Sequence, residues 1–235
     1  GSGHLDAAPM ALVLAAVLAT SRGRSALTGL ALGIATLFKL YPVVVFPALW
    51  RPRDWRMPLA FLATVALGYL PYAGVGTAVL GFLPGYVREE GLLAGSPYFL
   101  LQAAEWAAGR ELPAWLYLGP AALVLIGLAI WTLRRRAETA HQTAALVLGV
   151  AAVVAVSPHY AWYFAWLLPL AALTRCLTVL LLGVTAFVLY LSLLWDTPAT
   201  RLWSNACVYL PALALLLVLW RRHRRPEGAA TGAPV

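Results

Sequence analysis

The stretch SALTGLALGIATLFKLYPVVVFPALW, residues 25–50, is apolar throughout except for Lys39, the only lysine of the chain. Arg22 and Arg24 precede it, and Arg51, Arg53 and Arg56 follow it. Arginines beside a membrane helix mark its cytoplasmic end, so one straight crossing cannot place both clusters correctly. Within the stretch, Pro42 lacks a backbone donor and disfavours helix at Tyr41. The sequence therefore predicts two half-helices in a re-entrant hairpin, with Lys39 and Tyr41 at its tip. A first half of about 14 residues, rising 1.5 Å each, carries Lys39 past the bilayer midplane.

The rest of the chain supports a membrane setting. Of its 235 residues, 62% are hydrophobic and 11% charged, whereas a soluble domain carries about 25% charged residues. At roughly 20 residues per crossing, the length accommodates about seven or eight segments and little else. Apolar runs predict further helices at about 7–20, 57–80, 113–133, 141–156, 161–173, 177–195 and 205–220. Residues 81–112 mix acids and arginines with Tyr86, Tyr98 and Trp106, and read as an interfacial loop containing a short amphipathic helix. The expected fold is all-α, a polytopic transmembrane bundle over 1–225 with short or broken helices, followed by a disordered cytoplasmic tail at 226–235.

Orientation follows from the tail, where Arg221, Arg222, Arg224 and Arg225 follow an apolar helix and belong inside. Counting back places Arg175, Arg134 to Arg136 and Arg51 to Arg56 inside as well. Residues 81–112, 157–160 and 196–204 then lie outside. Thirteen arginines and three acids fall on the inner side, a balance of +10, against −3 on the outer side, although the whole chain carries +8. Arginines clustered between apolar runs are topology signals, which excludes the nucleic-acid partner that a basic chain would otherwise suggest. Cys176 and Cys207 stand alone, without metal-ligand spacing, and read as packing residues.

Four places hold candidate chemistry. Lys39 costs several kcal/mol in an apolar stretch unless paired or hydrated, and an ammonium at a broken helix suits a phosphate or carboxylate; the alternative is a stem that snorkels to the interface. In SPHYAWYF, 157–164, Pro158 ends a helix, and His159, Tyr160, Trp162 and Tyr163 crowd a short outer connection able to bind phosphate or sugar. An aromatic interfacial belt accounts for the tryptophan and tyrosines, and less well for His159. GSGHLD, 1–6, brings His4 to the outer side with Asp6, whose ordinary reading is a helix N-cap. Arg88, Glu89 and Glu90 form an outer charge run, either solvated or facing a substrate. There is no Walker A loop, GxGxxG turn, HExxH or GxSxG element, so nucleotide-driven pumping and serine hydrolysis have no support.

FKLYPVVVFPALW at 38–50 and SPHYAWYFAWLLPL at 157–170 resemble the integral-membrane GT-C glycosyltransferases. The likeness is to mannosyltransferases that use polyprenyl- or dolichyl-phosphate-mannose, including the enzyme adding the first mannose of glycosylphosphatidylinositol anchors. A Lys-x-Tyr-Pro element recurs in that group, here Lys39, Tyr41 and Pro42. So does a Ser-x-x-Tyr-x-x-Trp-Tyr-like element, here Ser157, Tyr160, Trp162 and Tyr163 at slightly different spacing. GSGHLD, a short helix and an Arg-Gly-Arg loop also resemble bacterial members. The resemblance covers about 1–220.

It implies an enzyme of the bacterial plasma membrane that transfers a hexose, most readily mannose, from a polyprenyl-phosphate sugar to a glycan or lipid acceptor outside, with no nucleotide sugar in the site. Under this reading the substrate-binding residues are His4, Lys39, Tyr41, Arg88, Glu90, His159, Tyr160, Trp162 and Tyr163. The group's acidic residue lies in a first outer loop after an initial helix, neither identifiable here; Asp6, Glu89 and Glu90 are the acids considered in its place, with Asp6 and Glu89 as catalytic candidates. A chain starting at Gly1 without Met reads as a fragment lacking that helix and loop. No metal site is identified, and metal use stays open. Two alternatives stand beside the enzyme: a secondary transporter, since transporters also build midplane sites on broken helices, and a non-catalytic subunit or fragment.

Overall fold

The computed structural model describes residues 6–81, 83–134, 140–195 and 197–223. The expectations for His4, for Arg135, Arg136, Arg224 and Arg225 and for the tail at 226–235 concern residues outside these. The described residues are helical with no strand, and three helices are long and apolar enough to cross a membrane: Arg56–Gly76, Trp115–Arg134 and Pro198–Arg222.

Helix α1 (Ala7–Ser21) turns through Gly23 into α2 (Ser25–Phe38). The second helix stops one residue before the lysine, because Pro42 offers no N–H to the Phe38 carbonyl. Lys39 is extended, at φ −152° and ψ 144°. The chain continues as a 3-10 turn, Tyr41–Val45, and a short α3, Phe46–Leu49. Both ends of residues 25–50 then meet: Ser25 Oγ donates to Asp54 Oδ2 at 2.5 Å and Arg51 Nη2 to the Thr20 carbonyl at 3.2 Å. Next comes α4 (Arg56–Tyr69), which runs parallel to α2. The register is set by glycine: a Cβ at Gly29 would strike the Met57 carbonyl, one at Gly33 would lie 2.8 Å from Thr64 Cβ, and one at Gly68 would strike Leu37. Parallel neighbours joined by a short connection require the intervening segment to return along their length, which residues 41–49 do.

The expected helix at 57–80 is α-helical only to Tyr69 and 3-10 over Leu70–Leu80, because Pro71 leaves the Leu67 carbonyl without its donor. The expected interfacial loop holds two helices, α5 (Leu83–Glu89) and α6 (Phe99–Ala108). Helices α7 (Trp115–Arg134) and α8 (His141–Val156) follow close to expectation. The run at 161–173 divides into α9 (Trp162–Ala165) and α10 (Leu167–Leu173), since Pro169 removes the partner of the Ala165 carbonyl.

The run at 177–195 is α11 (Leu177–Thr185), a 3-10 turn over Ala186–Leu189, and α12 (Tyr190–Leu194). Its tightening follows Thr185, whose hydroxyl lies 3.1 Å from its own helix's carbonyls and 3.0 Å from Val208 O, a back-bonding that bends helices. The last helix, α13 (Pro198–His223), starts earlier than the apolar run at 205–220. Proline suits its first position, and Thr197 Oγ1 accepts from Thr200 N at 3.1 Å as its cap.

Val13, Leu32, Val45, Leu148, Phe164 and Leu170 anchor one buried cluster. By contrast, α7 buries none of its residues and leaves Leu123 70% exposed, as a lipid-facing helix does. Contacts fix which ends lie together. Thr20, Ser25, Arg51 and Asp54 meet at one end, where His141 Nδ1 lies 3.0 Å from Ala48 O. At the other, Asp6 meets Lys39, Tyr117 donates to Ala155 O at 2.7 Å, and Tyr86 meets Tyr163. Arg22, Arg24, Arg51, Arg53 and Arg56 share the first end; residues 83–89 and 157–160 share the second.

Candidate functional site

The site lies at that second end. Because α2 stops at Phe38, the Lys39 side chain leaves from extended backbone and its ammonium pairs with the Asp6 carboxylate at the start of α1. Asp6 makes no side-chain cap hydrogen bond, which corrects its expected N-cap role. An ammonium in apolar surroundings is the stronger partner for a carboxylate than a half-exposed backbone N–H. The same ammonium lies 5.7 Å from the Tyr163 ring centroid, within cation–π range.

Lys39 also lines a cavity of about 490 Å³ with Tyr41, Tyr86, Tyr163, Trp166 and aliphatic residues of α5 and α8. Tyr41 stacks on Trp166 with centroids 4.9 Å apart. The Tyr86 and Tyr163 hydroxyls are 3.0 Å apart. Burial first, then the Tyr163 hydroxyl, pushes the Tyr86 phenol well above its ordinary range. It therefore stays protonated and able to donate.

Beside it lies a polar chamber of about 370 Å³, lined by Glu89, Glu90, Ser96, His159, Tyr160 and Arg201 among others. Its geometry starts at Ser157, which is fully buried, takes the left-handed conformation at φ 47° and ends α8. Left-handed backbone at a residue other than glycine is strained and persists where surrounding structure demands it. The turn delivers His159 toward α5, where its Nδ1 lies 3.3 Å from Glu90 Oε2. His159 Nε2 is buried with no hydrogen-bond partner among the described residues. Tyr160 stacks on Trp162 with centroids 4.1 Å apart and planes within 9°.

Asp6, Lys39, Tyr41 and Tyr163 thus form one group, and Glu89, Glu90, His159 and Tyr160 a second. Trp162 supports Tyr160, and Arg88 lines neither cavity. Sequence reading passed over Tyr86 as interfacial and missed Trp166, Ser96, Ser192 and Arg201. For Arg201 a signal existed, since it is one of three arginines on the acidic side; Ser96 and Ser192 carry none.

An ammonium with phenols beside an apolar hollow can hold a lipid-linked anion, and the carboxylates and imidazole next to it can orient and deprotonate hydroxyls. Among the described residues no group of three or more His, Cys, Asp or Glu is placed to hold a metal ion. Residues 1–158 match glycosyltransferase family 87, a span that holds Asp6, Lys39, Tyr86 and Glu90 and stops before His159. No curated protein and no solved structure matches the chain.

Proposed function

The chain belongs to glycosyltransferase family 87, and from that premise we propose that it transfers a hexose, mannose in the first instance, from a polyprenyl-phosphate donor to an acceptor on the extracytoplasmic side. The observation that carries this reading is the Lys39 ammonium, which pairs with Asp6 and lines an apolar cavity together with Tyr41, Tyr86 and Tyr163. Lys39, Tyr41 and the Tyr86–Tyr163 hydroxyls receive the donor phosphate, while the apolar wall holds the start of the lipid chain. Glu89, Glu90, His159 and Tyr160 receive the acceptor.

In transfer, the acceptor oxygen bonds to the anomeric carbon as the bond from that carbon to the phosphate oxygen breaks. The electron pair leaves with the lipid phosphate, and the acceptor proton passes to a carboxylate. Asp6 is that base: the arriving phosphate competes for Lys39 and releases the carboxylate beside the reacting carbon. Lys39 then stabilises the negative charge growing on the leaving phosphate, the kind of interaction that strengthens toward the transition state.

The arginine-rich end faces the cytoplasm under the positive-inside rule, so residues 25–50 enter and leave on that side and α13 ends there. A panel of polyprenyl-phosphate sugars given to the purified full-length protein tests the proposal. Transfer from the mannose donor is expected; lipid-phosphate sugars that are bound but never turned over would overturn it.

A further inference from the structure

The polar chamber beside His159 does not close behind Ser96 and Arg201. Both residues also line an outer chamber of about 800 Å³ between α6 and the start of α13, a volume within the roughly 300–1,000 Å³ typical of small-ligand sites. Three of its lining residues, Gln102, Glu105 and Trp106, stand at the i, i+3 and i+4 positions of α6 and so share a face. The helix itself is anchored: Leu101 is buried, and Phe99 stacks on Tyr209 with centroids 5.3 Å apart.

The polar groups on the cleft face have unused capacity. Gln102 donates through Nε2 to the Ser96 carbonyl, while its Oε1 is buried with no partner among the described residues. Glu105 uses Oε1 to accept from Leu112 N at 3.0 Å. Glu111 joins them in the lining, and Trp106, 71% exposed, meets Trp203 edge-on at 6.4 Å. Acceptor oxygens beside an indole suit a ligand with many hydroxyls and apolar ring faces. Two carboxylates against one arginine disfavour an anion.

We infer that the outer chamber is a second sugar subsite, and that the acceptor is a neutral glycan of at least two residues. Its terminal residue lies against His159 and Glu90, and the preceding one stacks on Trp106 between Gln102 and Glu111. The inference rests on the transferase reading above and adds the class of acceptor and the residues that measure its length.

The test compares two acceptors in the full-length protein with polyprenyl-phosphate-mannose as donor: octyl α-mannoside and octyl α-mannotrioside. Trp106→Ala is expected to raise KM for the trisaccharide about fivefold, since stacking contributes on the order of 1 kcal/mol, and to leave the monosaccharide unchanged. Trp106→Phe restores most of the difference. A belt tryptophan that only seats the loop at the membrane would shift both acceptors alike, and that result overturns the subsite, as does no change with either. Calorimetric titration with mannotriose, maltotriose and glycerol phosphate separates this inference from the donor reading. Binding of a trisaccharide that Trp106→Ala weakens, without turnover of any donor, keeps the cleft and removes the reaction; binding of glycerol phosphate alone, or of none, removes the cleft.

Discussion

Replacing Lys39 by methionine keeps the length of the stem and deletes its charge, taking the cation away from Asp6, whose side chain is only 14% exposed. Removing one member of a mostly buried pair costs about 3–5 kcal/mol. The lower figure applies here, because the lysine side chain is itself 28% exposed and solvent reaches the pair. Asp6→Asn mirrors the loss from the other side, at about 1.5–3 kcal/mol for a charge-assisted bond. The double variant Asp6→Asn with Lys39→Met leaves no charge unpaired and returns most of the stability. Thermal unfolding of all four forms in one detergent measures this cycle.

Activity behaves differently. Loss of the cation that meets the departing phosphate lowers kcat by about 10²–10³, and loss of the base lowers it by about 10²–10⁴. The double variant is therefore stable and inactive. Were the pair only structural, with neither residue taking part in the chemistry, the double variant would recover turnover along with stability. That outcome would refute the assignment of Lys39 to the donor phosphate.

Three further outcomes are expected. Gly29→Ala places a methyl against the Met57 carbonyl and destabilises by about 1–3 kcal/mol in the same unfolding assay; an unchanged midpoint would mean that α2 and α4 do not pack at this register. With Cys176 and Cys207 replaced by serine, single cysteines at Arg22 and Arg53 label from the same side of sealed vesicles, and opposite-side labelling would sink the hairpin. Ser25, then Arg56, holds the Asp54 carboxyl down to about 2, below its unfolded value of about 3.9. A depressed folded value contributes stability above the unfolded value and loses it as pH falls toward the folded one. Ser25→Ala is accordingly less stable than wild type at neutral pH, and the difference fades between about pH 4 and pH 2; a difference that grew on acidification would contradict the pairing.

Much of the architecture was legible because prolines and charges are rare enough to be read singly. Pro42 marked the end of α2, and Lys39 stood out as the one lysine. The unread proline breaks, at Pro71 and Pro169, followed the same rule but carried no charge to draw attention. The site was half legible. Lys39, Tyr41, His159 and Tyr163 carry chemistry on their face, whereas Tyr86 and Trp166 look like any interfacial aromatic until a partner lies across from them. Asp6 misled for a physical reason: a short acid ahead of a helix is the ordinary N-cap, and only a cation brought from residue 39 offers it something stronger.

Alone, the order of residues determined that the chain is an all-helical membrane protein, that it breaks at Pro42 and which end collects arginine, since these follow from hydropathy, a missing backbone donor and charge counting along the chain. It could not determine partners distant in sequence. The pairing of Lys39 with Asp6, of Glu90 with His159, and the continuity from His159 to Trp106 depend on glycines that let α2 and α4 run parallel and on a left-handed turn at Ser157. Side-chain chemistry is written locally, but a site is made of distances, and only packing sets those.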